Sequence, residues 1–172
     1  MKVQKIALIA VLTAATIVIA VLESFIPSVG IPGVKLGLAN IMILVTLYEL
    51  GVIEAAFVNL ARVFLASLIR GTLFTMGFFM SLAGAFLSLG IMVLFYLLIK
   101  KFSIIGVSVI GSIFHVTGQI LVAMIFLSTT YILYYLPVIA ISAIITGIFV
   151  GLIAQLIRKT GAIQKLRERY NF

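Results

Sequence analysis

The chain has 172 residues, of which 65% are hydrophobic and 9% are charged, and its mean hydropathy is +1.40. This apolar content exceeds that of a soluble domain, and because a membrane helix takes about 20 residues, the length accommodates roughly six such helices and no soluble domain. The net charge of +8 lies at predicted helix ends and in the C-terminal tail, without the basic stripe of a nucleic-acid-binding domain, so it indicates membrane topology.

The hydrophobic pattern predicts an all-α, polytopic membrane bundle that forms a single domain over residues 1–172, with both termini in the cytoplasm. The six predicted helices cover residues 6–26, 37–50, 52–70, 76–99, 103–127 and 136–157. The second is short, because 14 residues reach only about 21 Å at the helical rise. This helix therefore either begins within the preceding loop or is half-inserted.

The first predicted helix follows Lys2 and Lys5 and resembles a signal peptide in charge and hydrophobicity. No small-residue cleavage site follows it, so we predict a retained membrane helix. Ala10 and Ala14 on this helix have the small-xxx-small spacing that allows another helix to approach closely in lipid. The alternative is an alanine-rich helix that packs internally.

The segment from Glu23 to Asn40 is the longest break in the hydrophobic sequence and contains two of the three prolines. Proline removes an amide donor and glycine loosens the backbone, so this segment cannot continue a helix. We interpret residues 27–36 as an external lid over a binding cavity, with Lys35 and Asn40 at its exit. The alternative is an ordinary connection outside the membrane, with Lys35 in water.

The third predicted helix places four residues on one face: Asn59, Arg62, Ala66 and Arg70. An arginine in the middle of a membrane helix costs roughly 2.5–3.5 kcal/mol on insertion scales, so Arg62 should face protein or water. Arg70 is either part of the same polar face or an anchor whose side chain reaches the membrane interface.

The later helices carry small and polar residues at helix-packing spacing. Gly77, Ser81 and Ala85 form a stripe that is typical of helix contacts, and Gly147 and Gly151 form a GxxxG pair. The fifth helix groups the only histidine with a glutamine and two glycines on one face, at positions Gly111, His115, Gly118 and Gln119. This grouping indicates either a cavity or a histidine that makes internal hydrogen bonds.

The basic residues also predict the orientation of the chain. With a cytoplasmic N-terminus and six helices, nine basic residues lie inside: Lys2, Lys5, Lys100, Lys101, Arg158, Lys159, Lys165, Arg167 and Arg169. Only Lys35, Arg62 and Arg70 remain outside or within the membrane, which is a clear positive-inside bias. These three would lie near the mouth of an outward-facing cavity and favour an anionic or acceptor-rich ligand.

Several kinds of site are excluded by the composition. There is no cysteine and no aspartate, so neither a thiolate site nor an aspartate-rich magnesium-diphosphate site is available. No phosphate-binding G-x-x-x-x-G-K-[ST] loop is present, and the two halves do not look like repeats. The chain has one histidine and no well-placed acid, so it lacks the pair of groups that acid–base catalysis usually requires. We therefore predict a non-enzymatic protein without a cofactor, whose energy source is a partner.

Four runs of residues are similar to a known family: PGVKLGLANI (32–41), LARVFLASLIRG (60–71), SLAGAFLSL (81–89) and FSIIGVSVIGSIFHVTGQILVA (102–123). They resemble the Gx transporter family, also labelled heptaprenyl diphosphate synthase component I. That family is similar to the substrate-binding S components of energy-coupling factor (ECF) transporters. Members often have asparagine where this chain has Val116, so a role for that asparagine does not carry over.

The resemblance implies a mechanism as well as a fold. S components are six-helix proteins that capture a nutrient from outside, under the loop between the first two helices. They associate with a transmembrane coupling protein (the T component) and two cytoplasmic ATPases, and tip in the bilayer to release the ligand. An A-x-x-x-A pattern on the first helix is associated with docking, and Ala10 and Ala14 match it. By the same analogy, the ligand-site candidates are Lys35, Asn40, Arg62, Arg70, Ser81, His115 and Gln119.

The predicted function is thus an S component of an ECF-type ABC importer in a prokaryotic cell membrane. It would capture a small nutrient or an amphipathic, anionic molecule, with the basic residues pairing charge and the others donating or accepting hydrogen bonds. Two alternatives remain. An accessory subunit of heptaprenyl diphosphate synthesis would co-purify with a soluble prenyltransferase, and a solitary passive transporter would mediate uptake without an ATPase.

Overall fold

The computed structural model describes residues 3–25, 35, 37–99 and 102–170 of the chain. Within these ranges the protein contains helices and no strand, which confirms the predicted all-α bundle. The helices are α1 (Val3–Glu23), α2 (Asn40–Glu49), α3 (Val52–Ile69), α4 (Met76–Leu98), α5 (Ile104–Leu127), α6 (Leu136–Lys159) and α7 (Ala162–Tyr170). A short 3₁₀ helix, Tyr131–Tyr135, leads directly into α6.

In the described part of the chain, five segments are long and apolar enough to cross a membrane: α1, α3, α4, α5 and the continuous stretch Tyr131–Lys159. The second predicted helix, which the sequence indicated either begins within the preceding loop or is half-inserted, is α2. It has only 10 residues, which reach about 15 Å at the helical rise, so it does not begin within the loop and is too short to cross a membrane. It begins at Asn40, three residues later than predicted, because Gly37 has a positive φ of 87° that helical backbone does not adopt.

The other helix ends differ from the predicted ones by a few residues. The largest difference is in α1, which lies at Val3–Glu23 where residues 6–26 were predicted. Helix α7 was not predicted, since most of its nine residues are polar and it carries no membrane signal. Apart from Lys35, the predicted lid at residues 27–36 lies outside the described residues.

Helix α2 forms the centre of the bundle even though it is the shortest of the first six helices. Ile43, Leu44, Val45 and Leu47 are completely buried, and they pack in one cluster with residues of α3, α5 and α6. A helix that is apolar on all sides must be surrounded by other elements. The long helices therefore enclose α2 and separate it from lipid.

Glycines allow α4, α5 and α6 to pack backbone to backbone. A Cβ atom on Gly84 of α4 would lie 2.7 Å from the carbonyl oxygen of His115 on α5. The predicted GxxxG pair on α6 packs on the same helix, since a Cβ on either Gly147 or Gly151 would lie 2.7 Å from an α5 Cα atom. Close approach of this kind is how membrane helices gain van der Waals contact.

Ion pairs connect the helices at one end of the bundle. Lys5 of α1 contacts Glu54 of α3 at 2.5 Å, and Arg158 of α6 contacts Glu49 of α2 at 2.6 Å. Arg167 of α7 also donates a hydrogen bond to the carbonyl oxygen of Glu49 at 2.6 Å. These contacts lie at the end that the charge bias predicts to be cytoplasmic. We call it the ion-paired end, and the distance of a residue from it along a helix gives the depth of that residue in the membrane.

Candidate ligand-binding site

The polar residues of the bundle lie about halfway through the membrane. Asn40 is nine residues before Glu49, and Arg62 is ten residues after Val52, so each lies about 14–15 Å from the ion-paired end. The hydrocarbon of a bilayer is about 30 Å thick. From there the polar group extends toward the opposite end, where the non-helical backbone of Lys35 and Gly37 contacts Gln119 of α5 and Glu23 at the end of α1. Side chains of the bundle satisfy the polar groups of this backbone.

Arg62 is held by amide side chains rather than by an acid. It is 5% exposed, so the prediction that it faces protein or water rather than lipid is confirmed. Its guanidinium donates to Oδ1 of Asn59 at 2.8 Å and, more weakly, to Oδ1 of Asn40 at 3.5 Å. These amides are held in turn by the carbonyl oxygen of Ala85 and the hydroxyl of Ser88. Among the described residues no acid forms an ion pair with Arg62, and its Nε atom has no hydrogen-bond partner.

The chain that approaches α2 is fixed to the bundle by side chains from α1 and α5. The side-chain amide of Gln119 accepts a hydrogen bond from the backbone N–H of Lys35 at 2.7 Å and donates one to its carbonyl oxygen at 3.2 Å. Glu23 accepts a hydrogen bond from the backbone N–H of Gly37 at 2.5 Å. Gln119 thus binds the backbone of Lys35 as a neighbouring strand would.

Gly37 is the residue that lets this segment lie so close to the site. Its φ of 87° disfavours any side chain. A Cβ atom there would also lie 3.1 Å from Nδ2 of Asn40 and 3.2 Å from Cδ2 of His115. The glycine in the sequence PGVKLGLAN is therefore required by both backbone conformation and space.

A small cavity lies between α1, α3, α4, α5 and Lys35. Its volume is about 20 Å³, and its lining is Ala20, Glu23, Lys35, Arg62, Val63, Ala66, Arg70, Ser81 and His115. Cavities of this size hold about one water molecule. Nζ of Lys35 donates to the hydroxyl of Ser81 at 3.3 Å, and Nδ1 of His115, a residue 3% exposed, has no partner among the described residues.

The charge around the cavity is positive. Lys35, Arg62 and Arg70 are three cations, and Glu23 is the one carboxylate in the lining, which leaves a formal charge of +2. Burial, together with the positive charge of Arg70, lowers the pKa of Lys35 to about 8, and Glu23 partly offsets the shift. The site is therefore short of negative charge, and a bound anion would supply it.

Arg70 combines the two roles that the sequence left open. It lines the cavity, and its Nε atom also donates to the carbonyl oxygen of Ala66 at 2.9 Å, one turn back along α3. A cation at this position satisfies one of the last carbonyls of the helix and interacts favourably with its negative end. Burial lowers the pKa of Arg70, and Glu23 opposes that effect.

All seven predicted ligand-site residues come together in this region. Five of them line the cavity: Lys35, Arg62, Arg70, Ser81 and His115. The other two do not line the cavity but contact residues that do: Asn40 accepts a hydrogen bond from Arg62, and Gln119 binds the backbone of Lys35. The predicted docking residues Ala10 and Ala14 are elsewhere, exposed on the outer surface of α1.

Sequence reasoning missed Glu23, Asn59 and Ser88 as site residues. Two signals could have found them. Glu23 is the only acid next to the glycine- and proline-rich segment, and Asn59 precedes Arg62 by three residues, a spacing that puts two side chains side by side on a helix. Ser88 had no such signal, because its role depends on how α4 packs against the start of α2.

The match to known proteins covers this whole site. The family model described as heptaprenyl diphosphate synthase component I matches residues 12–157. The chain belongs to this family. Every candidate ligand-site residue lies within the matched range of this family member, whereas Ala10 lies just before it. No curated protein and no solved structure matches the chain.

Proposed function

We propose that this protein is the membrane-embedded substrate-binding S component of an ECF-type ABC importer and that it binds a small anionic molecule. One observation carries the proposal. A cavity with a formal charge of +2 extends from mid-depth toward the end of Glu23 and Arg70, and side-chain hydrogen bonds from Gln119 and Glu23 hold the backbone of Lys35 and Gly37 beside it. A site of this kind would capture a ligand rather than conduct it, because the fully buried apolar residues of α2 lie between it and the ion-paired end.

The arrangement of donors suggests how the ligand is held. Nε of Arg62 can donate a hydrogen bond to an anion, and Nδ1 of His115 can do so when it carries a proton. Lys35 and Arg70 add charge at the side nearest the loop. Since a cavity of about 20 Å³ is too small for a nutrient, loading requires Lys35 to leave Ser81 and its backbone to leave Gln119. The segment around Lys35 thereby acts as the lid.

A partner is needed because a binding cavity alone does not drive uptake. The sequence has no ATP-binding phosphate loop, so the T component and two cytoplasmic ATPases would supply the energy in a prokaryotic cell membrane. Ala10 and Ala14 are exposed one turn apart on α1. Their small side chains would allow a helix of the T component to approach closely. In this mechanism the protein itself has no catalytic activity.

The test is affinity purification of the tagged protein from its native membrane in mild detergent, followed by mass spectrometry of the proteins that accompany it. We expect a coupling membrane protein and two ATPases with the wild type. The double variant Ala10→Leu/Ala14→Leu should lose them, because leucine side chains hold a partner helix away. Ala56→Leu is the matched control, since it enlarges an exposed alanine on α3 and should leave the complex intact.

The family description favours a second candidate, an accessory subunit of heptaprenyl diphosphate synthesis. Its cationic site would then hold a diphosphate for a soluble prenyltransferase. Recovery of that enzyme in the purification, without ATPases, would support this candidate and overturn the importer. Recovery of no partner at all would leave the importer without an energy source and would also overturn it.

A further inference from the structure

The C-terminal helix α7 is fixed to the ion-paired end of the bundle. Gly161 separates it from α6 with a positive φ of 65°, a conformation that ends a helix and changes the direction of the chain. Ile163 then packs against the apolar cluster around α2, and Arg167 donates a hydrogen bond to the carbonyl oxygen of Glu49 at 2.6 Å. Helix α7 therefore lies against the ends of the other helices and does not extend α6 into the water.

These contacts place α7 at the depth of the lipid head groups. Glu49 ends α2, and Lys159 ends the membrane-spanning α6, so both mark the edge of the hydrocarbon. The polar layer beyond that edge is about 5–8 Å thick on each side of a bilayer. The side chain of Arg167 alone spans the distance from α7 to Glu49, which keeps the helix within this layer.

The exposed side of α7 has the pattern of a helix that lies in a membrane interface. Leu166 is 38% exposed, and Lys165 and Arg169 are exposed beside it. At about 100° per residue, these two cations lie about 100° and 60° from Leu166 in the same direction around the helix, whereas Glu168 lies about 160° away. Basic side chains beside an exposed leucine, with the acid on the far side, are typical of interfacial helices that bind anionic lipid.

We propose that the exposed side of α7 binds the head groups of anionic phospholipids in the leaflet at the ion-paired end. Lys165 and Arg169 contact the lipid phosphates, and Leu166 enters the boundary between head groups and acyl chains. An acidic soluble protein would approach from the water, where α7 presents Glu168, so the charge pattern favours lipid. The inference does not depend on what the polar cavity binds.

The positive-inside bias does not by itself account for this arrangement. That bias requires only that basic residues stay on one side of the membrane. It does not require an amphipathic helix that Ile163 and Arg167 hold against the bundle. A helix held in this way presents its cations at a fixed depth, which is what the binding of lipid phosphates requires.

The test uses a single fluorescent residue in the full-length protein. The chain contains no tryptophan, so Leu166→Trp introduces one indole at the proposed contact. The variant would be placed in nanodiscs with equal amounts of phosphatidylcholine and phosphatidylglycerol, one of which is brominated near the glycerol end of its acyl chains. Bromine quenches an indole only at close range. Because each basic residue near an anionic surface strengthens binding about fivefold, brominated phosphatidylglycerol should quench this indole more strongly than brominated phosphatidylcholine.

The controls separate the two charges from other causes. In the Leu166→Trp protein, the double change Lys165→Gln/Arg169→Gln should abolish the preference for phosphatidylglycerol. The double change Lys165→Arg/Arg169→Lys keeps both charges and should keep the preference. Ile145→Trp, at a 64% exposed position in the middle of α6, reports lipid away from α7 and should be quenched equally by the two lipids. A melting temperature close to that of the wild type confirms folding.

The outcomes distinguish lipid from the other possible occupants of this surface. Preferential quenching that depends on Lys165 and Arg169 supports the inference. Equal quenching of Leu166→Trp by the two lipids would show contact with the bilayer without selection of a head group, and would overturn it. Quenching by neither lipid would place α7 in water, with a soluble acidic protein as its partner. A preference that survives the loss of both charges, or that Ile145→Trp shares, would also count against it.

Discussion

Arg62 is the residue on which the site depends most. Its guanidinium lies at half the membrane depth among amides and hydroxyls, with no acid paired to it among the described residues. A buried charge without a counter-charge lowers stability, and such a group in a membrane protein commonly marks a ligand pathway. Asn40 and Asn59 supply dipoles but no charge. The charge of Arg62 is therefore available to the ligand.

The first prediction is that Arg62→Gln weakens anion binding and leaves folding intact. Glutamine keeps a donor for Asn59 and removes the buried charge, so the melting temperature should stay the same or rise. A hydrogen bond to a charged group contributes about 1.5–3 kcal/mol, so the affinity for inorganic diphosphate should fall roughly 10- to 100-fold. Calorimetry measures the affinity. Arg167→Gln, at the other end of the bundle, is the control, and unchanged binding by Arg62→Gln would contradict the site.

The second prediction concerns Lys35 and pH. Its pKa is about 8 in the folded protein, against an ordinary value of 10.5. Because the folded pKa is lowered, folding costs free energy while Lys35 is protonated, and stability should rise between pH 8 and pH 10.5. Anion binding should change in the opposite direction, since the free protein loses this positive charge as pH rises through 8.

Sulfate is the suitable probe because its own charge is constant over this range. We expect its affinity to fall between pH 8 and pH 10 in the wild type, by at most about tenfold per pH unit. Lys35→Met should bind sulfate more weakly at pH 7 and should lose the pH dependence. A wild-type affinity that stayed flat over this interval would show that the ammonium of Lys35 does not contact the anion.

At the scale of elements, the shortness of α2 creates the site. A full-length second helix would place regular backbone where Lys35 and Gly37 contact Gln119 and Glu23. The hydrophobic pattern indicated that this helix was short, and the break before it was visible as a run of glycine and proline. Its complete burial was not predictable, because that depends on five longer helices packing around it.

The third prediction tests the close packing of α4 on α5 beside His115. Gly84→Ala should destabilise the bundle by about 1–3 kcal/mol, because the added Cβ would meet a backbone oxygen that cannot move away by rotation. Gly90→Ala is the matched control on the same helix. A Cβ there has no atom within 4 Å, so this variant should gain up to about 1 kcal/mol of helix propensity. Thermal unfolding in detergent measures both, and equal effects would contradict the backbone contact.

At the scale of the whole molecule, the two ends of the bundle differ in kind. The end that carries Glu49, Glu54 and Arg158 has ion pairs between helices, whereas the polar cavity extends from mid-depth toward the end of Glu23 and Arg70. The sequence predicted an outward-facing cavity with Lys35, Arg62 and Arg70 near its mouth, and the family resemblance added the other four candidates. The sequence did not predict which of these residues line the cavity and which contact the lining residues from outside it. Rotating a helix about its axis by one residue position would exchange those roles.

The last prediction is the orientation of the protein in its membrane. The chain contains no cysteine, so single cysteines can be introduced without first removing a native cysteine. Ser24 follows α1 at the cavity end, Thr160 follows α6 at the ion-paired end, and both are exposed. If the cavity faces outward, a membrane-impermeant maleimide should label Ser24→Cys in intact cells and Thr160→Cys only after permeabilisation. The reverse pattern would place the cationic cavity on the cytoplasmic side, where it could serve a soluble enzyme but could not capture a nutrient from outside.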